Sequence, residues 1–164
     1  MSTDGRPAVD PIAALQLPLR AGVAAGLALA IAFLFHFGSP IYAVVSAVVV
    51  TDLDPAQTRK LAGPRMIGTF IGAAVGCIAT LLMHPGIVPV TIGVIVPMYL
   101  CHLLRFPAAA RVSGYASGII ILSFASDPWT HARDRLVETL VGILAAAAVG
   151  MIPLLYRSGQ KRKT

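Results

Sequence analysis

The sequence predicts an all-α integral membrane protein with six transmembrane helices. Three observations predict it: a composition 57% hydrophobic and 12% charged over 164 residues, charges gathered between long apolar runs, and glycine and proline breakers that divide those runs. Soluble domains carry about 45–50% apolar and about 25% charged residues, and a chain of single-domain length has no core large enough to hide the excess. The surplus must face lipid, which excludes a water-soluble globular fold.

No Asp, Glu, Lys or Arg occurs over residues 21–51, 66–104, 112–126 or 139–156. An ionised side chain at the centre of an inserted helix costs roughly 2.5–3.5 kcal/mol on insertion scales, so cations are confined to the boundaries. The net charge of +6 is then a topology signal, and no nucleic-acid partner is expected. Cys77 and Cys101 both fall in apolar runs, where inert buried thiols are expected. Residues 1–16 carry Asp4, Arg6 and Asp10 and delay the first apolar run, unlike a cleaved signal peptide. They are expected to form a cytoplasmic tail before a membrane domain at 17–156, with a basic cytoplasmic tail at 157–164.

A crossing needs about 20 apolar residues. The first helix is expected at 17–37, stopped by Gly38-Ser39-Pro40, and the second at 41–51, ended by Asp52, Leu53 and Asp54. Asp54 as N-cap and Pro55 as first helical residue open a short helix carrying Arg59 and Lys60, which Gly63-Pro64 closes. The third helix is expected at 66–83. After the tight turn His84-Pro85-Gly86 comes the fourth, at 87–104, with Pro89 and Pro97 inside it. Arg105-Phe106-Pro107 bends the chain into a fifth at 112–124, and the sixth runs from 133 to 156. At 1.5 Å per residue, the second and fifth are too short to cross a bilayer alone.

Six crossings place both termini on one side. With cytoplasmic termini in an inner cell membrane, eleven of the thirteen cations lie inside: Arg6, Arg20, Arg59, Lys60, Arg65, Arg105, Arg111, Arg157, Lys161, Arg162 and Lys163. That distribution obeys the positive-inside rule. Only Arg133 and Arg135 are left outside, near Asp127, Asp134 and Glu138, acids placed to neutralise them in an outer salt-bridge cluster, which is the alternative to a role in solute contact. Trp129 and Tyr156 suit an aromatic belt at opposite edges.

Arg65-Met-Ile-Gly68-Thr69-Phe-Ile-Gly72 opens the third helix and Arg135-Leu-Val-Glu138-Thr139-Leu-Val-Gly142 opens the sixth, with Arg, Thr and Gly coinciding. The third helix enters from inside and the sixth from outside, so a three-helix repeat would be inverted, as in many transporters. The paired short helices then mark the solute route. Gly68, Gly72 and Gly76 make a doubled small-xxx-small pattern, echoed by Gly22/Gly26 and Gly114/Gly118; close helix packing is the ordinary reading of such glycines, Gly142 included.

The stretch Ser46-Ala-Val-Val-Val-Thr-Asp-Leu-Asp-Pro55, followed by Arg65-x-x-Gly68-Thr69-x-x-Gly72-x-x-x-Gly76, resembles the membrane domain of fusaric acid resistance (FUSC)-like proteins and aromatic acid exporters. Arg135 and Gly142 fit the sixth helix of that domain. The resemblance implies a transporter exporting aromatic carboxylates or similar organic anions. It also extends to the plant aluminium-activated malate transporters, whose similar six-helix part conducts anions as a dimer with basic residues along the pore. A homodimer is expected by that likeness, with Arg65 and Arg135 touching the anion.

Arg133, Tyr42, Ser46 and Ser117 complete the candidate solute contacts, the hydroxyls having the alternative role of bonding a neighbouring helix or their own backbone. His102 is a candidate coupling group within an apolar run, with an interior histidine near Arg105 as the alternative. His36, His84 and His131 show no metal-ligand spacing. No metal or cofactor is expected, and the absence of nucleophile motifs, phosphate loops and paired intramembrane carboxylates argues against an enzyme. A passive anion channel and a non-transporting membrane subunit remain alternatives to the exporter.

Overall fold

Asp54 and Asp127 each stand immediately before a proline, and each begins a long helix. The computed structural model describes residues 11–84, 86–123 and 127–152. Six α-helices account for most of them: α1 (Pro11–Leu34), α2 (Ile41–Val50), α3 (Pro55–Leu82), α4 (Ile87–Leu103), α5 (Ala110–Leu122) and α6 (Pro128–Gly150), with a single 3₁₀ turn at Pro107–Ala109 leading into α5. Among the described residues there is no strand.

At the start of α3 the Asp54 side chain accepts from the N–H of Ala56 at 2.8 Å. At the start of α6 Asp127 accepts from the N–H groups of Trp129 and Thr130 and from the Thr130 hydroxyl. Proline at the first helical position costs nothing, because its missing N–H would have had no intrahelical partner. Thr130, first through its hydroxyl and then through its N–H, holds the Asp127 carboxyl below the usual carboxylate range.

Two sequence expectations need correction here. Gly63-Pro64 does not close a short helix: α3 runs unbroken from Pro55 with Pro64 inside it. Proline removes one ladder hydrogen bond, a loss that neighbouring helices offset in tightly packed bundles, and Pro18 and Pro97 are likewise internal to α1 and α4. Nor does the sixth helix begin at 133, because the Asp127-Pro128 cap starts it five residues earlier. Of the remaining boundaries, the start of α1 at Pro11 and the end of α6 at Gly150 each lie six residues before the expected position, and the others shift by three residues or fewer; Phe124 and Tyr156 lie outside the described residues.

α3 packs chiefly along α5, and α6 along α2. α4 covers α5 and α3, α1 covers α2 and α6, and α3 and α6 cross between them. The close pairs depend on glycine. A Cβ on Gly72 would run into the Ser113 carbonyl and stand 2.8 Å from Ala116 Cβ; a Cβ on Gly142 would run into the Ala43 carbonyl and stand 2.7 Å from Ser46 Cβ. Gly68 is as crowded by Val112 and the Ala109 carbonyl, Gly76 meets Ile120 and Ser117, and on α5 Gly114 and Gly118 face Met98 and Val94. Gly22 and Gly26 differ: nothing lies within 4 Å of either added Cβ, because α1 turns Ala24, Ala28 and Ala32 inward instead.

The exterior is apolar. Phe33, Leu34, Phe70, Leu82, Ile87, Tyr99 and Leu144 are each more than half exposed, whereas soluble monomers seldom show apolar patches beyond a few hundred Å². Leu15–Leu34 and Pro55–Leu82 are long and apolar enough to cross a membrane; Ile41–Val50 and Ile87–Leu103 are shorter apolar helices.

Candidate functional site

The short helix α2 stands between two buried arginines. Tyr42 and Ser46 lie one turn apart on it, and each meets a guanidinium from a different long helix. Arg65, eleventh in α3 and about 15 Å from its start at 1.5 Å per residue, is 5% exposed. Its Nε and one terminal nitrogen donate to Ser46 Oγ at 3.3 and 3.1 Å, and its guanidinium carbon lies 5.2 Å from the centroid of the Tyr115 ring on α5. Arg135, on α6, is 7% exposed and stacks more closely, 3.3 Å from the centroid of Tyr42. Both distances fall within the range of cation–π attraction.

Buried charges are ordinarily paired, yet no carboxylate comes within ion-pair distance of Arg65 or Arg135 among the described residues. A hydroxyl and two aromatic faces hold them instead. Guanidinium groups arranged so keep planar donor edges suited to a carboxylate.

Arg135 lines a polar cavity of about 140 Å³ together with Gly38, Ser39, Tyr42, Ser123, His131, Asp134 and Glu138. Glu138 is 1% exposed. Its Oε1 accepts from the Ser39 N–H at 3.0 Å, and its Oε2 has no hydrogen-bond partner among the described residues. The sequence offers Glu138 as a neutraliser of outer arginines; its place in the cavity wall was missed. A signal was available, since Arg135-x-x-Glu138 stands where the matching stretch of α3 reads Arg65-x-x-Gly68.

A larger cavity of about 750 Å³ opens at the other end of the bundle, lined by Arg20, Asp54, Thr58, Arg59 and the mainly apolar end of α6. Its size matches pockets for small ligands. Arg20 reaches across it, donating to the carbonyls of Leu53 at 2.9 Å and Ile152 at 3.4 Å. Counting Arg20 and Arg59 only as orientation charges hid this role, because nothing local in the sequence brings α1, α3 and α6 together.

The other candidates are placed apart. Arg133 is exposed and pairs with Asp134 at 3.6 Å, an arrangement worth little in water. Ser117 is fully buried, its hydroxyl lacks a partner among the described residues, and it faces Gly93 of α4 rather than an arginine. His102, expected within the bundle, lies in the last turn of α4 and is exposed.

A family model described as fusaric acid resistance protein-like matches residues 27–149, three quarters of the chain, including both arginines, both tyrosines and Glu138. The chain belongs to that family. Its members are membrane proteins of transport and efflux, and transport rather than enzymatic catalysis is the coarse function that membership supports. No curated protein and no solved structure matches this chain.

Proposed function

We propose that this FUSC-like protein spans an inner membrane six times with both termini in the cytoplasm and exports aromatic or related organic acid anions as a homodimer. The observation that carries the reading is the pair of buried arginines, each held by hydroxyl or aromatic contacts, with no carboxylate within ion-pair distance among the described residues. In a low-dielectric interior, such a guanidinium attracts an anion far more strongly than one at a wet surface does. Tyr42 and Tyr115 add ring faces that suit an aromatic carboxylate, and the inner cavity with Arg20 and Arg59 supplies a cytoplasmic entrance.

An inverted repeat organises this reading. Gly72 against the Ser113 carbonyl and Gly142 against the Ala43 carbonyl are the same contact shifted by seventy positions on both sides. The buried faces agree: Ala43, Ser46, Ala47 and Val50 of α2 correspond at that shift to Ser113, Ala116, Ser117 and Ile120 of α5. Inverted halves place a solute site where their short helices meet. The open Gly22/Gly26 face of α1 suits close approach of a second copy.

Flux of a panel of aromatic and aliphatic carboxylates through proteoliposomes tests the function, comparing wild type with Arg65→Ala and Arg135→Ala. Both substitutions are expected to lower flux. Unchanged flux in both would remove the arginines from the route, and a wild type that carries none of the panel would leave the chain a non-transporting membrane subunit.

A further inference from the structure

The two glycine-arginine crossings differ around one contact, and the difference is chemical. On α3, Gly68 packs against the Ala109 carbonyl and Val112 so closely that an added Cβ would stand 2.6 and 2.5 Å from them. Shifted by seventy positions, forward for Gly68 and back for Ala109 and Val112, the corresponding residues are Glu138, Ser39 and Tyr42. There Glu138 accepts from the Ser39 N–H and lines, with Tyr42, the polar cavity of about 140 Å³. One crossing is closed at this point by a glycine, and its counterpart carries an acid beside a cavity. That cavity has room for several waters or one small carboxylate group.

A carboxylate that is 1% exposed, with one oxygen lacking a donor among the described residues, carries a desolvation cost that its single Ser39 contact does not offset. A proton on Oε2 removes the charge and leaves the Ser39 contact to Oε1 intact. We propose that Glu138 is the proton-binding group that controls anion occupancy at Arg135, an inference that rests on the anion-transport reading above. Ionised, Glu138 opposes an incoming anion in the shared cavity and offsets the Arg135 charge. When a proton enters from the aqueous side and binds Oε2, that offset ends and Arg135 takes the carboxylate or sulfonate of the solute; the proton leaves as the ionised state returns.

The groups facing Glu138 limit the alternatives. Ser39 comes from the turn before α2, Tyr42 from α2, Ser123 from the end of α5, and His131, Asp134 and Arg135 from α6 itself. α3, which also packs on α6, brings Cys77, whose thiol donates to the Pro128 carbonyl at 3.2 Å. His131 and Asp134 are therefore the competing proton acceptors.

Benzenesulfonate is the suitable probe, because it stays ionised and any pH dependence belongs to the protein. Its uptake into proteoliposomes is measured from outer pH 8 down to 5.5 for wild type, Glu138→Gln and His131→Gln. Wild type is expected to speed up about tenfold on acidification, a modest yield for removing one charge beside a partly buried guanidinium. Glu138→Gln is expected to run at the acid rate throughout, and His131→Gln to keep the wild-type profile. A wild-type profile in Glu138→Gln, or its loss in His131→Gln, overturns the proposal. Infrared difference spectra over the same range decide the matter independently of flux. A protonated-carboxyl band present in wild type and missing from Glu138→Gln supports proton binding, and no such band refutes it even if the protein carries anions. The band without any wild-type flux would instead sink the transport reading.

Discussion

Gly142→Ala is the sharpest perturbation of the bundle. The added methyl stands 2.7 Å from Ser46 Cβ and 2.9 Å from the Ala47 nitrogen, and it runs into the Ala43 carbonyl. Ordinary carbon contacts lie at about 3.5–4.0 Å, so roughly 1 Å must be found. None of the three atoms sits at the end of a flexible side chain, and α2 must therefore move bodily away from α6. Overpacking of this kind costs typically about 1–3 kcal/mol. Gly26→Ala is the internal control, since nothing lies within 4 Å of its new methyl and alanine gains up to about 1 kcal/mol of helix propensity over glycine. Thermal unfolding in mild detergent reads the difference. At roughly 2–4 °C per kcal/mol for a chain of this size, Gly142→Ala is expected to melt roughly 2–12 °C below wild type, while Gly26→Ala stays level or rises. Displacing α2 also carries Tyr42 off Arg135, so anion flux should fall with stability. A Gly142→Ala protein that melts no lower than Gly26→Ala would refute the close α2 to α6 contact.

Other substitutions separate the remaining roles. Arg65→Lys keeps the charge but loses the planar fork, and carboxylate flux is expected to fall severalfold with little change in melting temperature; retention of full flux would reduce Arg65 to a topology anchor. Ser117→Ala removes a buried hydroxyl that has no partner among the described residues, so melting should be unchanged or higher. A loss of flux there without a loss of stability would bring Ser117 into the solute route. The carboxyl of Asp127 is held low by its bonds to Thr130, so its capping contribution is present above the ordinary carboxylate value and is lost as pH falls through the depressed one. Asp127→Asn is expected to flatten the acid limb of the melting curve, and an unaltered limb would deny the cap that role. Cys77 and Cys101 are fully buried, so an impermeant thiol reagent should label Arg133→Cys in whole cells against a silent background; labelling only after the membrane is opened would invert the topology.

Apolar runs and their breakers mark the six apolar segments, because charge is expensive in lipid and its absence is informative. Boundaries were harder where one signal has two meanings. Gly63-Pro64 reads locally as a stop, yet α3 runs through it, with Leu61 and Ala62 just before it packed against buried residues of α1, α2 and α6. The aspartate and proline pair that marks the start of α3 also marks α6; the sequence shows the two pairs as counterparts, but the apolar run begins later and draws the expected start to 133. Arg65 and Arg135 could be singled out by their spacing, but their partners could not: Ser46 lies 19 positions from Arg65, and Tyr42 is still farther from Arg135. Contacts across the bundle depend on how helices cross, and a linear pattern does not state that. The role of Glu138 was hidden for the same reason, its oxygen meeting Ser39 from 99 positions away.

α2 is only ten residues long, about 15 Å of helix, and it carries Tyr42 and Ser46 a single turn apart. A rod that short does not bend. A roll or slide that lifts Tyr42 from Arg135 therefore also pulls Ser46 from Arg65, so the two guanidiniums respond as one unit although they share no bond. Substitutions at the two sites should be non-additive in a double-mutant cycle, a mechanical signature of one lever serving both guanidiniums.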